Sequence, residues 1–287
     1  MKKFFCFLFF LCLISFLSAG VVPKPKEGMS AEQLIKIWDV IKYTKFASDY
    51  NSYSRVILIS RNGAKRTRKA YRARIILNGK GGFEYKDYVA FIYPAAFKGL
   101  TILTWTYSDP NKEREQWLYL PSLKKARRAS PSEDEDNFMG TVFTTEEITS
   151  WKPNYETYKL VGIKKFDGYV SNFDKREYYK GVKCYVIEAF PKLERKVKMR
   201  SKRRLWLKKN DGCCIFQQVY DKNGKIYKVL FRSYREIESN KYPTQIIVEG
   251  VDYRTKDISI VHMDEIHYDV GLKESDFTVN KLKKMKW

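Results

Sequence analysis

The spacing of apolar residues changes character twice along the chain. Phe4 to Leu17 is an almost unbroken apolar run behind Lys2 and Lys3, and Ser18-Ala19-Gly20 ends it with small residues. A positive start, an apolar stretch and a small-residue boundary form the pattern of an export leader, cut after Gly20. The run is shorter than the about 20 residues a membrane helix needs, and a retained N-terminal anchor is the alternative reading. Val21 to Gly28, with Pro23 and Pro25, reads as a linker over 21–28. Leu34, Ile37, Trp38 and Ile41 then recur at helical spacing, and Ser30 with Gln33 three residues on makes a capping box. An amphipathic helix is therefore expected over 31–47, with an apolar stripe that has to cover something.

From Ser54 onward the period becomes two, the repeat of a strand. About eleven short strands are expected between Ser54 and Tyr268, joined mostly by hairpins. Asn62-Gly63, Asn210-Asp211-Gly212 and Lys222-Asn223-Gly224 are the clearest turn signals, and both central residues of the first are expected at positive φ. The second strand, 65–78, carries Arg66, Arg68, Arg72 and Arg74 on one parity and Tyr71, Ala73, Ile75 and Leu77 on the other. The arginine face is expected to be solvated. Thr144 or Thr145 is placed to cap a short helix through Ser150, with Glu146 and Glu147 in its first turn. No fixed-period repeat is present, so residues 29–287 read as a single mainly β domain with few helices, of sandwich or barrel type.

Charge modifies this picture only partly. There are 55 Lys and Arg against 33 Asp and Glu, a formal charge of +22. Such a balance invites a nucleic-acid reading, but export points instead to anionic lipid head groups, acidic polymers or acidic partner surfaces. Abundant Lys, Tyr, Phe, Ile and Asn also fit an AT-rich coding sequence. Lys192 to Arg204 holds eight positive charges and one Glu. It reads as a solvated loop or strand extension, with docking of an acidic surface as its functional alternative. Leu123 to Arg128, basic, and Glu133 to Asp136, acidic, read as an exposed loop.

Catalytic and metal chemistry finds little footing. His262 and His267 lie five apart on an expected strand, hence on opposite faces, and do not make a metal site. Ser122-Leu123-Lys124-Lys125 fits a Ser-x-x-Lys pattern without its companion motifs. Glu146 and Glu147 diverge by about 100 degrees on a helix, so they are no carboxylate pair. Loss of the leader removes Cys6 and Cys12 and leaves Cys184, Cys213 and Cys214, too few for a disulfide scaffold. One bridge from Cys184 to either neighbour, or three buried thiols, both remain open. No cofactor is expected.

Two stretches carry a family likeness. Trp105-Thr106-Tyr107 runs toward Trp117-Leu118-Tyr119-Leu120-Pro121 and the basic residues 124–128, and Phe138-Met139-Gly140-Thr141-Val142-Phe143 leads into Glu147. Together with Ser275-Asp276-Phe277-Thr278 near the end, they resemble the outer-membrane lipoprotein-sorting family of LolA-like periplasmic carriers. Val142 stands where that family usually has Asp. The resemblance implies an incomplete antiparallel β-barrel around a hydrophobic cavity, with helices over its mouth. It further implies a non-enzymatic periplasmic carrier of lipoprotein or lipid acyl chains, loaded by an inner-membrane transporter and unloaded at an outer-membrane acceptor. The strands apolar on both parities nominate Ile57, Ile59, Leu103, Trp105, Trp117, Leu118 and Leu120 as cavity wall, since such strands are covered on both faces, and Phe143 of the second stretch is nominated with them. An envelope-sensing module of the same fold and an enzyme acting on envelope polymers are the alternatives.

Overall fold

A computed structural model describes residues 21–129, 136–193, 197–237 and 242–285. The expected leader at 1–20, the acidic residues 133–135 and part of the basic run, 194–196, lie outside the described residues. Ser30 caps the helix α1 (Ala31–Lys42) as its sequence requires: its hydroxyl accepts from Gln33 N, and the Gln33 side chain accepts from Ser30 N at 2.8 Å. The helix is shorter than expected, because Thr44 turns the chain at φ 56°.

The described residues then build fifteen strands: β1 (Asp49–Ile59), β2 (Lys65–Ile76), β3 (Phe83–Tyr93), β4 (Thr101–Tyr107), β5 (Glu115–Leu120), β6 (Lys125–Arg128), β7 (Glu156–Lys165), β8 (Tyr169–Val170), β9 (Glu177–Tyr178), β10 (Lys183–Pro191), β11 (Lys202–Lys208), β12 (Cys214–Tyr220), β13 (Ile226–Ile237), β14 (Tyr242–Asp252) and β15 (Asp257–Tyr268). Thirteen form one antiparallel sheet in the order β6-β5-β4-β3-β2-β1-β15-β14-β13-β12-β11-β10-β7, and β8 pairs only with β9. Two meanders therefore join where the first long strand meets the last. The sheet curves without β6 and β7 pairing, which is an incomplete barrel. Strands with no expected counterpart are the short β6, whose basic residues read as loop, and the β8–β9 hairpin.

The hairpins fall where the glycines put them, but with a different turn. At Asn62-Gly63 only Gly63 has positive φ, 82°, and Ser60 N donates to Ala64 O at 3.0 Å. This is a longer loop closed by one left-handed residue. Gly212 and Gly224 repeat the pattern at φ 75° and 77°.

Both faces of the sheet are covered. Inside the curve, α1 lays Leu34, Ile35 and Trp38 against Tyr85, Ile187, Leu205 and Leu207. Trp151 packs against Trp38 at 4.8 Å between centroids, the rings tilted by 41°. Outside, the C-terminal segment packs Phe277 and Leu282 on Ala73, Tyr88 and Leu103. The start of that segment is held by the Asp49 carboxylate, which accepts from Val270, Gly271 and Leu272 N at 2.8, 3.1 and 3.1 Å. Farther along the outer face, the β8–β9 hairpin covers Phe231, Ile247 and Ile260.

Residues 136–155 cross the inner face. Thr144 and Glu147 cap one another in a single wide turn over Glu146–Ser150, with Trp151 N bonded to Glu146 O. The crossing is tight at Gly250, where a Cβ would stand 2.7 Å from Val142 and 2.9 Å from Phe143. Gly250→Ala is expected to cost about 1–3 kcal/mol by overpacking. Urea unfolding of the purified variant measures this, and an unchanged midpoint would remove the close approach as a constraint.

Candidate cavity on the concave face

The inner face of the sheet is not filled everywhere. Between the end of α1, the 136–150 crossing and the central strands lies a cavity of about 180 Å³. That is room for on the order of ten water-sized groups. The period-two repeat sets its walls: β1 contributes Tyr50, Ser52, Ser54 and Val56, and β2 contributes Arg68, Ala70, Arg72 and Arg74. β3 adds Val89 and Phe91, β14 adds Thr244 and Val248, and β15 adds Val261, Met263, Ile266 and Tyr268. The inward parity on β15 changes between Met263 and Ile266 because the strand carries a bulge opposite Tyr53 and Ser54. Phe138, Met139, Phe143 and Ile148 close the cavity from the crossing segment.

The bulge also corrects the reading of the histidines. With Asp264 as the extra residue, His262 and His267 fall on the same outer parity rather than on opposite faces. Each has its own acid: His262 Nδ1 lies 2.9 Å from Asp264, and His267 Nε2 lies 2.7 Å from Glu265. Among the described residues no group of three His, Cys, Asp or Glu is placed to hold a metal. Cys184, Cys213 and Cys214 are buried and unbridged.

The arginine parity of β2 is the larger correction. It was expected to face solvent, yet Arg68, Arg72 and Arg74 line the cavity and only Arg66 is exposed. The inward turn is tolerated because each has partners. Arg72 and Arg74 share the buried Asp87 of β3, directly across from Arg74, at 2.9 and 2.8 Å. Arg74 also donates to Tyr43 O at 3.1 Å and lies 4.0 Å over the Tyr85 ring. Burial alone would raise the Asp87 carboxyl, but the two guanidiniums outweigh it and hold the group below the usual carboxylate range. Arg68 donates to Met139 O at 2.6 Å and so ties the crossing segment to the sheet.

Beside the cavity, Glu147 meets Lys228 at 2.8 Å with both side chains buried. Burial pushes its carboxyl up, and Lys228 with the Thr144 amide more than reverses that. Glu156 is likewise held low against its burial by Arg203 and Arg200. These last two arginines belong to the basic run expected to be solvated; Arg200 and Arg203 are instead buried in ion pairs.

Of the eight residues nominated from the sequence, Phe143 lines the cavity. Leu118 and Leu120 share its side of the sheet, since Leu118 lies across from Ile102 and Ile102 across from Val89, but they sit beyond its end. Leu103, Trp105 and Trp117 are on the outer face under the C-terminal segment, where Trp105 Nε1 donates to Phe277 O at 2.8 Å. Ile57 and Ile59 are also outside, packed with Phe231, Ile247 and Ile260 beneath the β8–β9 hairpin. Alternation identifies two faces but does not say which is concave. Asp87, one strand over, was the available signal that the β2 arginines turn inward.

Residues 84–284 match a family model described as uncharacterized protein-like. No curated protein matches the chain. Among solved structures, the chain resembles a domain named for outer membrane lipoprotein sorting from Vibrio parahaemolyticus. That match has 21% identity and a TM-score of 0.73, covering 88% of this chain and 97% of that one. A DUF1329 family protein from Desulfovibrio piger is similar at 23% identity and TM-score 0.74, with 88% and 97% coverage. A LolA superfamily protein from Nitrosomonas europaea is similar at 14% and 0.62, with 88% and 99% coverage. The fold is thus the LolA-like one.

The buried carboxylates make stability pH-dependent in a definite direction. Asp87, Glu147 and Glu156 have folded-state values below their unfolded ones. Their stabilisation is complete above about pH 4–5 and is lost as pH falls through the depressed values. Asp39, raised by its burial, acts in the opposite sense and offsets part of this. Asp87→Asn is expected to cost about 3–5 kcal/mol at pH 7, because it strands Arg72 and Arg74, and to flatten the decline between pH 4 and 2. Chemical denaturation across pH 2–7 reads both; equal stability of the variant at neutral pH would show that Asp87 does not hold the two arginines.

Proposed function

The chain belongs to the family of uncharacterized proteins whose model matches residues 84–284, and from its fold and cavity we propose that it is a non-catalytic periplasmic carrier. It takes the acyl chain of a lipid or lipoprotein into the concave hollow and moves it toward the outer membrane. The observation that carries this reading is the hollow itself: a LolA-like sheet whose inner face is roofed over Val56, Ala70, Val89, Phe91 and Val248 instead of being packed solid. The expected export leader, the basic composition and likeness to a domain named for outer membrane lipoprotein sorting and to a LolA superfamily protein support the compartment and the cargo class. Donor and acceptor would be an inner-membrane transporter and an outer-membrane receptor.

The physical requirement is to keep apolar chain away from water. Each buried methylene contributes about 0.8 kcal/mol, so ten contribute on the order of 8 kcal/mol before the entropic cost of binding. The crossing segment lies over the hollow, so uptake of a long acyl chain is expected to move this roof. The roof is fastened by a few identifiable contacts: Arg68 to Met139 O, Val142 N to Ser259 Oγ at 3.0 Å, and Lys228 to Glu147. Phe143 then serves as roof, Leu118 and Leu120 as inner-face extension for a longer chain. Ile57, Ile59, Leu103, Trp105 and Trp117 back the wall from outside. No proton transfer is required, and Asp87 and Glu147, the carboxylates beside the hollow, are both engaged in ion pairs.

Displacement of a fluorescent fatty-acyl probe tests the reading. Filling the hollow with Ala70→Trp or Val248→Trp is expected to weaken probe binding at least about tenfold, a change of about 1.4 kcal/mol. Trp117→Ala, on the far face, is expected to leave binding within about twofold. Folded cavity-filled variants that bind as well as the parent would remove the hollow as the cargo site.

A further inference from the structure

One end of the cavity carries positive charge that the protein leaves without a counter-ion. Arg232 of β13 is 4% exposed and lines the cavity. Among the described residues no carboxylate pairs with it, and its Nη1 is buried with no hydrogen-bond partner. Lys42, from the last turn of α1, lines the same end. Both cations stand against one indole: Lys42 Nζ is 5.5 Å and the Arg232 guanidinium 5.7 Å from the Trp38 centroid. Lys42 Nζ has one hydrogen bond, to Tyr43 Oη at 3.0 Å, which leaves two of its donors over.

This end differs from the rest of the wall. Arg72 and Arg74 have Asp87, Arg68 has the Met139 carbonyl, and Lys228 has Glu147. The two acids whose charges reach Lys42 are paired with other cations, Asp39 with Lys45 at 2.7 Å and Glu146 with Arg200 at 3.6 Å. A buried guanidinium facing a hollow without a partner is unfavourable in the empty protein, and a bound anion relieves it. The state of Lys42 agrees: burial first, then the charges of Arg232 and Arg203, push its ammonium well below the ordinary lysine value. An entering negative charge would reverse that.

We propose that Lys42 and Arg232 form an internal anion site, and that the cargo is an amphiphile carrying a carboxylate or phosphate that seats between them. This deepens the carrier reading and rests on it. Arg232 offers a planar fork suited to two oxygens of one anion, and Lys42 a compact charge beside it. Thr244 and Gln245 alongside complete the end of the hollow, and Trp38 of the core backs the two cations. The apolar part of the guest then runs along Val56, Ala70 and Val248 toward the roof. An anion held this way is screened by the protein and its binding is only weakly sensitive to salt, unlike attraction to the basic outer surface.

The test compares palmitate, hexadecanol and palmitoyl lysophosphatidate by calorimetry, on the parent protein and on Arg232→Met and Lys42→Met. The parent is expected to bind at least one of the two anionic guests at least about tenfold more tightly than hexadecanol, about 1.4 kcal/mol, and each variant to lose that preference. Preference for palmitate identifies a fatty carboxylate, and preference for lysophosphatidate a phosphate head group. Thermal melting of the empty proteins is a separate readout: Arg232→Met is expected to be at least as stable as the parent, because it removes an unpaired buried charge. Equal binding of hexadecanol and both anions by the parent would overturn the anion site while leaving the carrier reading intact. So would a preference that persists in both folded variants. Failure of all three guests to bind would remove both.

Discussion

A strongly curved sheet with apolar residues on both parities has to be covered on both faces, and in this protein every other element follows from that constraint. The outer cover comes from chain ends and hairpins: the segment from Leu272 to Met285 over β2 to β5, and the β8–β9 hairpin over β13 to β15 and β1. The inner cover comes from α1 and from residues 136–155. The outer cover packs directly on the strands. The inner one spans the curve like a chord, and a chord does not fill the arc beneath it. The hollow is the space left between them.

Charge inside this hollow is arranged in two ways with different consequences. Where arginines and lysines of the wall face an acid or a carbonyl, as Arg72, Arg74, Arg68 and Lys228 do, they fasten strands and roof together. Where they do not, as at Arg232, the wall retains an unmet demand for negative charge. A buried ion pair contributes little net stability over an apolar pair of the same shape, but loss of one partner is costly. The paired groups are therefore best understood as positional devices, and the unpaired ones as recognition.

Legibility follows the range of the interaction. The capping box of Ser30 and Gln33, the turns at Gly63, Gly212 and Gly224, and most of the strands were all readable, because each depends on residues within a few positions. The β2 arginines were misread because their partner Asp87 lies in the next strand, 13 to 15 residues away. Arg200 and Arg203 were misread for the same reason: Glu156 reaches them only across the folded sheet. The histidine faces were inverted by one extra residue, Asp264, whose bulge no local pattern announced.

The sequence by itself determined that this is an antiparallel β chain with one capped amphipathic helix and strands apolar on both sides, since alternation, capping and turn chemistry are local. The tertiary structure alone decided which parity faces the hollow. Period two is symmetric between the faces, and the symmetry is broken only when the sheet curves and chooses its covers. That choice sent Trp105, Trp117, Leu103, Ile57 and Ile59 to the outer packing and brought Arg74, Arg232 and Lys42 to the inner wall.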